Sequence, residues 1–409
     1  MNVHGRARFV VLAAMSLLYF LLSAGTFNAL GVVLPMMVKD MGMNWTEAGF
    51  GFTLLGIACG ITSLAPAMLI RQIGVSLTLI VGGLLLAAGF GSLAIAHGVL
   101  PYHVGTTLMG IGYCFCGTVA GVHVISAMFE RRSAALGIYF TSGGLGSVAG
   151  PLFFVAIQRI LTDWRIFWVI CAAAALVVGL FAAIVTRGSH PRHAPKDRPA
   201  PAEATGWPAR EALRMPQYWV IVGSYTACLL VNTTVHSFVV QHMSERGITQ
   251  ASAAFIVSAG AAVGALASAA AGVIGERIHA RWLMLCSLAA LTIASGSLVI
   301  PQGWLSLGLF ALAIGVGLGF SYVAAAMLLH DYFGKRPNLE LYSTMCMVST
   351  SAAVGPGLGG YVRDHTGSFV SVFVTLALIG LALVIAVLVM RRPLRDADEA
   401  EAKLAPEFV

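Results

Sequence analysis

The chain has 409 residues, 58% of them hydrophobic and only 10% charged, against roughly 25% charged in an average soluble protein. That composition excludes a water-soluble fold of this size, because too little polar surface exists to clothe it. The net charge of +7 is accounted for by loop topology and is no footprint of a nucleic-acid partner.

Apolar runs of about 20 residues, the length that crosses a bilayer core, follow one another from end to end. Twelve transmembrane helices are predicted, at 9–38, 47–70, 75–97, 104–128, 135–157, 165–186, 218–240, 251–274, 282–300, 305–329, 341–361 and 369–390. Membrane β-barrels show short alternating segments instead, so the predicted class is an all-α integral membrane protein. The first run follows Arg6 and Arg8 and is too long for a cleavable signal peptide, so it reads as span 1. An even number of spans puts both termini on one side. If that side is the cytoplasm, it holds 19 of the 24 Lys and Arg, leaving Lys39, Arg159, Arg165, Arg246 and Arg363 outside. This is a strong positive-inside bias. All tryptophans except Trp207 fall near span ends, where an amphipathic ring favours the interface. The seven cysteines lie inside apolar spans without disulfide or zinc spacing and read as small packing residues.

Along the chain, candidate polar positions come in a definite order. In span 1, Tyr19, Ser23 and Thr26 share a face, while Asn28 points about opposite to Tyr19 at 100° per residue. Both cannot line a narrow path through a continuous helix. The loop after span 2 reads AMLIRQIGVS, with Arg71 and Gly74. Span 4 carries Tyr113 and His123; the tyrosine is a cavity hydroxyl or an anchor, the histidine a packing residue or a proton site. Between spans 4 and 5, MFERRSAALGIYFTSGGLGSVAGP wedges Glu130, Arg131 and Arg132 between apolar runs. These charges form a turn, and Gly146 and Gly150 let span 5 approach a neighbour closely, with Pro151 adding a bend.

Residues 187–217 are rich in proline and charge and read as a cytoplasmic linker. They divide the chain into a first bundle at 1–186, a second at 218–390 and a tail at 391–409. On span 7, Tyr225, Asn232 and His236 share one narrow stripe that faces protein or a water-filled cavity. Tyr322 on span 10 is another candidate hydroxyl. The halves repeat: FERR at 129–132 returns as FGKR at 333–336, and Gly150-Pro151 as Gly355-Pro356. Two pseudo-symmetric six-helix bundles with a site between them near mid-membrane are therefore predicted. No charged residue falls at mid-membrane, where ionisable groups mark ion pathways. No HExxH or GxSxG is present, and GPGLGG at 355–360 lies inside a span, so neither an enzyme nor a cofactor or metal is expected.

Twelve spans, a central loop and GVIGERIHAR at 272–281 resemble the major facilitator superfamily, through Gly272, Glu276, Arg277 and Arg281. The first-half counterpart keeps Gly74 but has Arg71 where the family places an acid. The 128–151 stretch, DYFGKR and GPGLGGYVRDHTGSF are similar to the monocarboxylate transporter branch and its oxalate–formate antiporter relatives. The resemblance implies a secondary transporter working by alternating access on a small organic solute, a monocarboxylate-type acid moved with a proton. The alternative it leaves is a drug or metabolite exporter by proton antiport, although the antiporter glycine pattern on span 5 stops at Phe154 and Val155. The branch's helix 8 arginine and helix 11 lysine are missing here; Ser268 stands in the helix 8 region, and Asn28 aligns with the helix 1 lysine of animal carriers.

The expected substrate-binding set is Asn28, Tyr113, Tyr225, Asn232, His236 and Tyr322, with proton coupling through His236 and His123. For gating, Arg71 is expected to pair with Glu130 in an inverted clasp beside Gly74, Arg131 and Arg132. Glu276, next to Arg277, is expected near Lys335 or Arg336. The expected setting is a plasma membrane (a bacterial inner membrane), as a monomer whose partners are lipid, solute and protons, with no nucleic acid.

Overall fold

A computed structural model describes residues 3–129, 132–187, 207–275, 278–301, 303–334 and 338–393. The twelve spans are all present among the described residues, though four are not single helices. Span 1 is Val3–Gly25 followed by Phe27–Met41, and span 2 is Trp45–Ile61 continued, after a 3-10 turn at Thr62–Leu64, by the helix that begins at Ala65. Span 3 lies within Ala65–Ala94, after a kink at Gly74. Span 4 is Val99–Cys116 followed by Thr118–Met128; spans 5 and 6 are Arg132–Ile160 and Arg165–Thr186. In the second half, spans 7 to 10 are Pro216–Glu245, Gln250–Gly275, Ala280–Ser297 and Trp304–Phe333. Span 11 is Asn338–Ser349 and Gly355–Thr366 around a 3-10 stretch at Thr350–Val354, and span 12 is Val370–Val389. Among the described residues, ten helical stretches are long and apolar enough to cross a membrane by themselves. The other two crossings are hidden because spans 2 and 3 run together and span 11 is interrupted.

We call the face where span 1 begins and span 12 ends the terminal face, and the opposite one the far face. Gly74 turns the chain at the terminal face with φ 83°, a left-handed conformation that a side chain would strain. At the far face, Asn44 and Glu47 form a reciprocal capping box that starts span 2.

The halves repeat at the level of single contacts. Gly110 on span 4 sits against the Leu55 carbonyl and Ala58 of span 2; 205 positions later, Gly315 sits against the Gly260 carbonyl and Val263. Gly112 meets Leu86 of span 3, and Gly317 meets Leu291 of span 9 by the same shift. Lipid tails supply no hydrophobic drive between helices, so each bundle is held by such close backbone approaches. Gly112→Val and Gly317→Val are expected to destabilise the purified protein similarly, by about 1–3 kcal/mol of overpacking. Thermal unfolding checks this, and a drop at one position only would argue against equivalent roles.

The basic residues that the charge bias leaves at the far face are largely tied down. Arg165 pairs with Asp40 at 2.7 Å and donates to the Ala96 carbonyl. Arg363 pairs with Glu245 at 2.8 Å, and Arg246 donates to the Ile300 and Val299 carbonyls. Structural need at loop corners explains these exceptions to the loop rule.

Candidate functional site

Five tyrosines from both halves converge between the bundles, with a sixth, Tyr139, behind them. Tyr113 of span 4 lies within electrostatic reach of Tyr19 on span 1 and Tyr322 on span 10. Tyr225 of span 7 packs edge-to-face on Tyr322 with centroids 5.9 Å apart, and both lie within electrostatic reach of Tyr342 of span 11. Tyr139 of span 5 stacks on Tyr19 at 4.5 Å and fixes that ring from behind. Tyr322 is 46% exposed although it stands in mid-span. A tyrosine ring gives apolar area and its hydroxyl a donor and acceptor, so the group offers a neutral, hydrogen-bonding wall.

Asn232 and His236 lie further toward the far face on span 7, about 10 and 16 Å beyond Tyr225 at 1.5 Å per residue. His236 Nδ1 lies 2.9 Å from the Asn232 carbonyl. A carbonyl only accepts, so Nδ1 carries the hydrogen and Nε2 is left as the basic atom. The Asn232 side-chain amide has no hydrogen-bond partner among the described residues and is half-buried. The His236 carbonyl abuts Gly31 of span 1, where no side chain would fit. His236 therefore stands where the wall meets the sealed side of the molecule.

The predicted conflict on span 1 rested on a continuous helix. The helix instead breaks at Thr26, with φ −95° and ψ −117°, while the Thr26 hydroxyl donates to the Leu22 carbonyl. Counting 100° per residue fails across that break. Tyr19 joins the tyrosine group, while the Asn28 amide donates to the Ser147 carbonyl of span 5 at 3.3 Å. Span 4 breaks similarly at Gly117, just past Tyr113. Interrupted helices free backbone groups within the membrane, which is tolerated where they line a cavity or are buried in protein. Ser268 donates to the Gly319 carbonyl of span 10, so it binds helix to helix.

The two halves close on each other at the far face. Asp364 at the end of span 11 accepts from the Trp45 and Thr46 backbone N–H groups at 3.0 and 2.8 Å, and from the Thr46 hydroxyl at 2.6 Å. A carboxylate at the N-terminus of span 2 also meets the positive end of its dipole. Below it, Gly360 abuts the Trp45 carbonyl, Gly49 abuts the Pro356 carbonyl, and Gly357 N–H donates to the Thr53 hydroxyl at 3.1 Å. The contact runs on through Gly56 against Ala353 to Gly60 against Thr350. There it ends: Ile61, Leu64 and Met347 are 76%, 75% and 71% exposed. At mid-depth Gly144 of span 5 meets Ala265 of span 8. Asp364 and Tyr342 were not among the predicted site residues, although Tyr342, Cys346 and Thr350 share an i, i+4 stripe that ends in this seam.

Other predicted positions fall outside this constellation. His123 is exposed and shares no polar contact with the tyrosine group among the described residues. Arg71 is exposed and its Nε donates to the Ala67 carbonyl of its own helix. Glu130, Arg131, Glu276, Arg277, Lys335 and Arg336 lie outside the described residues, as does the side chain of Arg132, which opens span 5.

The profile of the Major Facilitator Superfamily matches residues 15–339 and 227–407. The chain is 26% identical over 379 residues to monocarboxylate transporter 11 of Homo sapiens, spanning 86% of this chain and 76% of that protein. It is 22% identical over 414 residues to the hexuronate transporter of Bacillus subtilis (strain 168), spanning 92% and 94%. Its fold is similar to the crystal structure of a bacterial homolog to the human lysosomal transporter Spinster, in an inward-facing and unoccupied conformation. That match has a TM-score of 0.70 at 18% identity and covers 94% of this chain and 95% of that one.

Proposed function

Because the chain belongs to the Major Facilitator Superfamily and is thus a multi-pass membrane transporter of a small molecule, we propose that it carries a small organic acid by alternating access, coupled to protons. The observation that supports this reading is the neutral wall of tyrosine hydroxyls ending at Asn232 and His236, with Nε2 of His236 unbonded among the described residues. Such a wall supplies donors to a carboxylate without a fixed positive charge. Protonation of His236 would supply the missing cation, and a neutral ion pair costs far less to carry through a low-dielectric interior than a bare anion. Both relatives named above are named for acids, which agrees with this choice.

In this reading the terminal face is cytoplasmic, as the basic loops favour, and the membrane is a plasma membrane of the bacterial inner-membrane kind. The far-face seam then makes this an inward-open state. The division into bundles at 1–186 and 218–390 lets one rock against the other about the site. The protein acts as a monomer, and a terminal-face clasp of Arg71 with Glu130, and of Glu276 with Lys335 or Arg336, closes the opposite state.

Counterflow in proteoliposomes tests the reading. Labelled short carboxylates should exchange for unlabelled ones, whereas sugars and amphiphilic cations should not. Exchange of amphiphilic cations alone would favour the exporter alternative instead. Tyr322→Phe removes one hydroxyl from the wall and is expected to raise KM about two- to tenfold with kcat nearly unchanged, the cost of one hydrogen bond in binding. An unchanged KM would remove Tyr322 from the site.

A further inference from the structure

A second cavity lies away from the tyrosine wall, at the terminal face where spans 9, 10 and 12 end. It opens to the outside with a volume of about 600 Å³ and is lined by Arg281, Arg392, His279, His330, Trp282 and Tyr332, with Asp331 as its one carboxylate among the described residues. That volume suits a small-molecule site, which spans roughly 300–1,000 Å³. Arg281 is held in place: its Nε donates to the Val387 carbonyl at 3.0 Å, and its Nη2 donates to the Leu388 carbonyl. Those carbonyls lie at the end of span 12, so the guanidinium is oriented, and it forms no ion pair among the described residues. Arg392 lines the same cavity. Asp331 is shared with His330, 3.9 Å away, and offsets one of the two fixed positive charges.

Span 9 begins at this cavity without a side-chain cap and without an acid in its first turn. The 18-residue helix starts beside this space; its Trp282 N–H is taken by the His279 carbonyl, and its positive dipole end adds to the local charge. The cavity thus combines two arginines, two histidines and a helix start around one opening, a donor set that suits a phosphate-type oxyanion. Trp282 at its rim is 56% exposed, as suits an indole at the lipid headgroup level. A soluble phosphate has no use for that rim, whereas a lipid headgroup arrives at that depth with its tails along spans 9 and 12.

We propose that this cavity binds the phosphate headgroup of an anionic phospholipid from the terminal-face leaflet. It does not depend on the transported solute, and its test reads binding. The full-length protein in neutral detergent, titrated with phosphatidylglycerol or phosphatidylcholine and followed by native mass spectrometry, should retain the anionic lipid preferentially. Arg392→Gln should lower that retention about fivefold, the weight of one basic residue near a membrane surface. Arg392 is exposed, so its loss leaves the packing intact. Arg391→Gln removes the same charge from the neighbouring exposed position that does not line the cavity, and retention should hold. Equal losses in both variants would mean diffuse surface attraction and overturn the site. Equal retention of the two lipids would overturn it as well. A thermal-shift arm with inorganic phosphate should show no stabilisation that depends on Arg392; if it does while phosphatidylglycerol does not, the site takes a soluble anion and the lipid assignment is wrong.

Discussion

Gly360→Ala is expected to cut transport more than tenfold while leaving the protein folded and inserted. An added methyl group would collide with the Trp45 carbonyl and press on Thr46 Cα at 2.9 Å. Both are backbone atoms at the start of span 2, so neither can rotate away. The far-face seam could not zip, and the carrier would be held open to that side. An alternating-access carrier stalled in one state binds but does not turn over. Thr53→Cys reports the state directly, because Thr53 is buried in the seam at 3% exposure. In the Gly360→Ala background a membrane-impermeant maleimide added at the far face should label it faster. Asp364→Asn is the graded version, since it keeps the shape and removes the charge that three donors share. The carboxylate is exposed, so the shift should be modest, about 1–2 kcal/mol or some five- to thirtyfold in the population open to the far face. Normal transport by Gly360→Ala with no change in labelling would mean that the seam opens and closes elsewhere.

The seam also shows where sequence reading stops. Span number, the repeat and the small-residue packing of span 5 are local or periodic properties, and they are legible because lipid leaves few alternatives. Gly146 and Gly150 do abut the Phe20 and Ala24 carbonyls of span 1, as the glycine spacing implies. Asp364 reads as a loop acid until the fold brings it to Trp45 and Thr46, more than 300 positions earlier. The break at Thr26 was hidden for another reason. Thr26 follows Gly25 in a predominantly apolar run, with Pro35 nine positions later, and its hydroxyl serves its own helix. A single glycine is tolerated inside a helix and does not by itself mark a break, yet this break decides how Tyr19 and Asn28 are turned relative to each other. Tyr225 and Tyr322 were legible as polar groups on apolar spans, but their meeting across the bundle depends on the tilt and depth of two helices, which spacing along either one does not contain.

His236→Gln is expected to separate transport from accumulation. Glutamine keeps the approximate size and a hydrogen-bonding end, and its amide can still donate to the Asn232 carbonyl that now holds Nδ1. What it loses is titration. With no carboxylate, lysine or arginine at mid-membrane, imidazole is the side chain there whose ordinary pKa lies near neutrality. The wild-type carrier should take up its acid faster as the far-face pH falls through the histidine range, because the protonated ring favours the bound anion. One proton per solute then supports roughly tenfold accumulation for each pH unit across the membrane. The glutamine variant should equilibrate the solute, with an accumulation ratio near one and a flat pH profile between about 5.5 and 7.5. Counterflow should persist, since exchange needs no net proton movement. That persistence also distinguishes lost coupling from a damaged site, in which both activities would fall together. His123→Gln is the companion measurement, because that ring stands exposed on span 4 without a polar link to the tyrosine wall among the described residues. If His236→Gln still concentrates solute with unchanged pH dependence, the proton travels by another route, and loss of coupling in His123→Gln would show which.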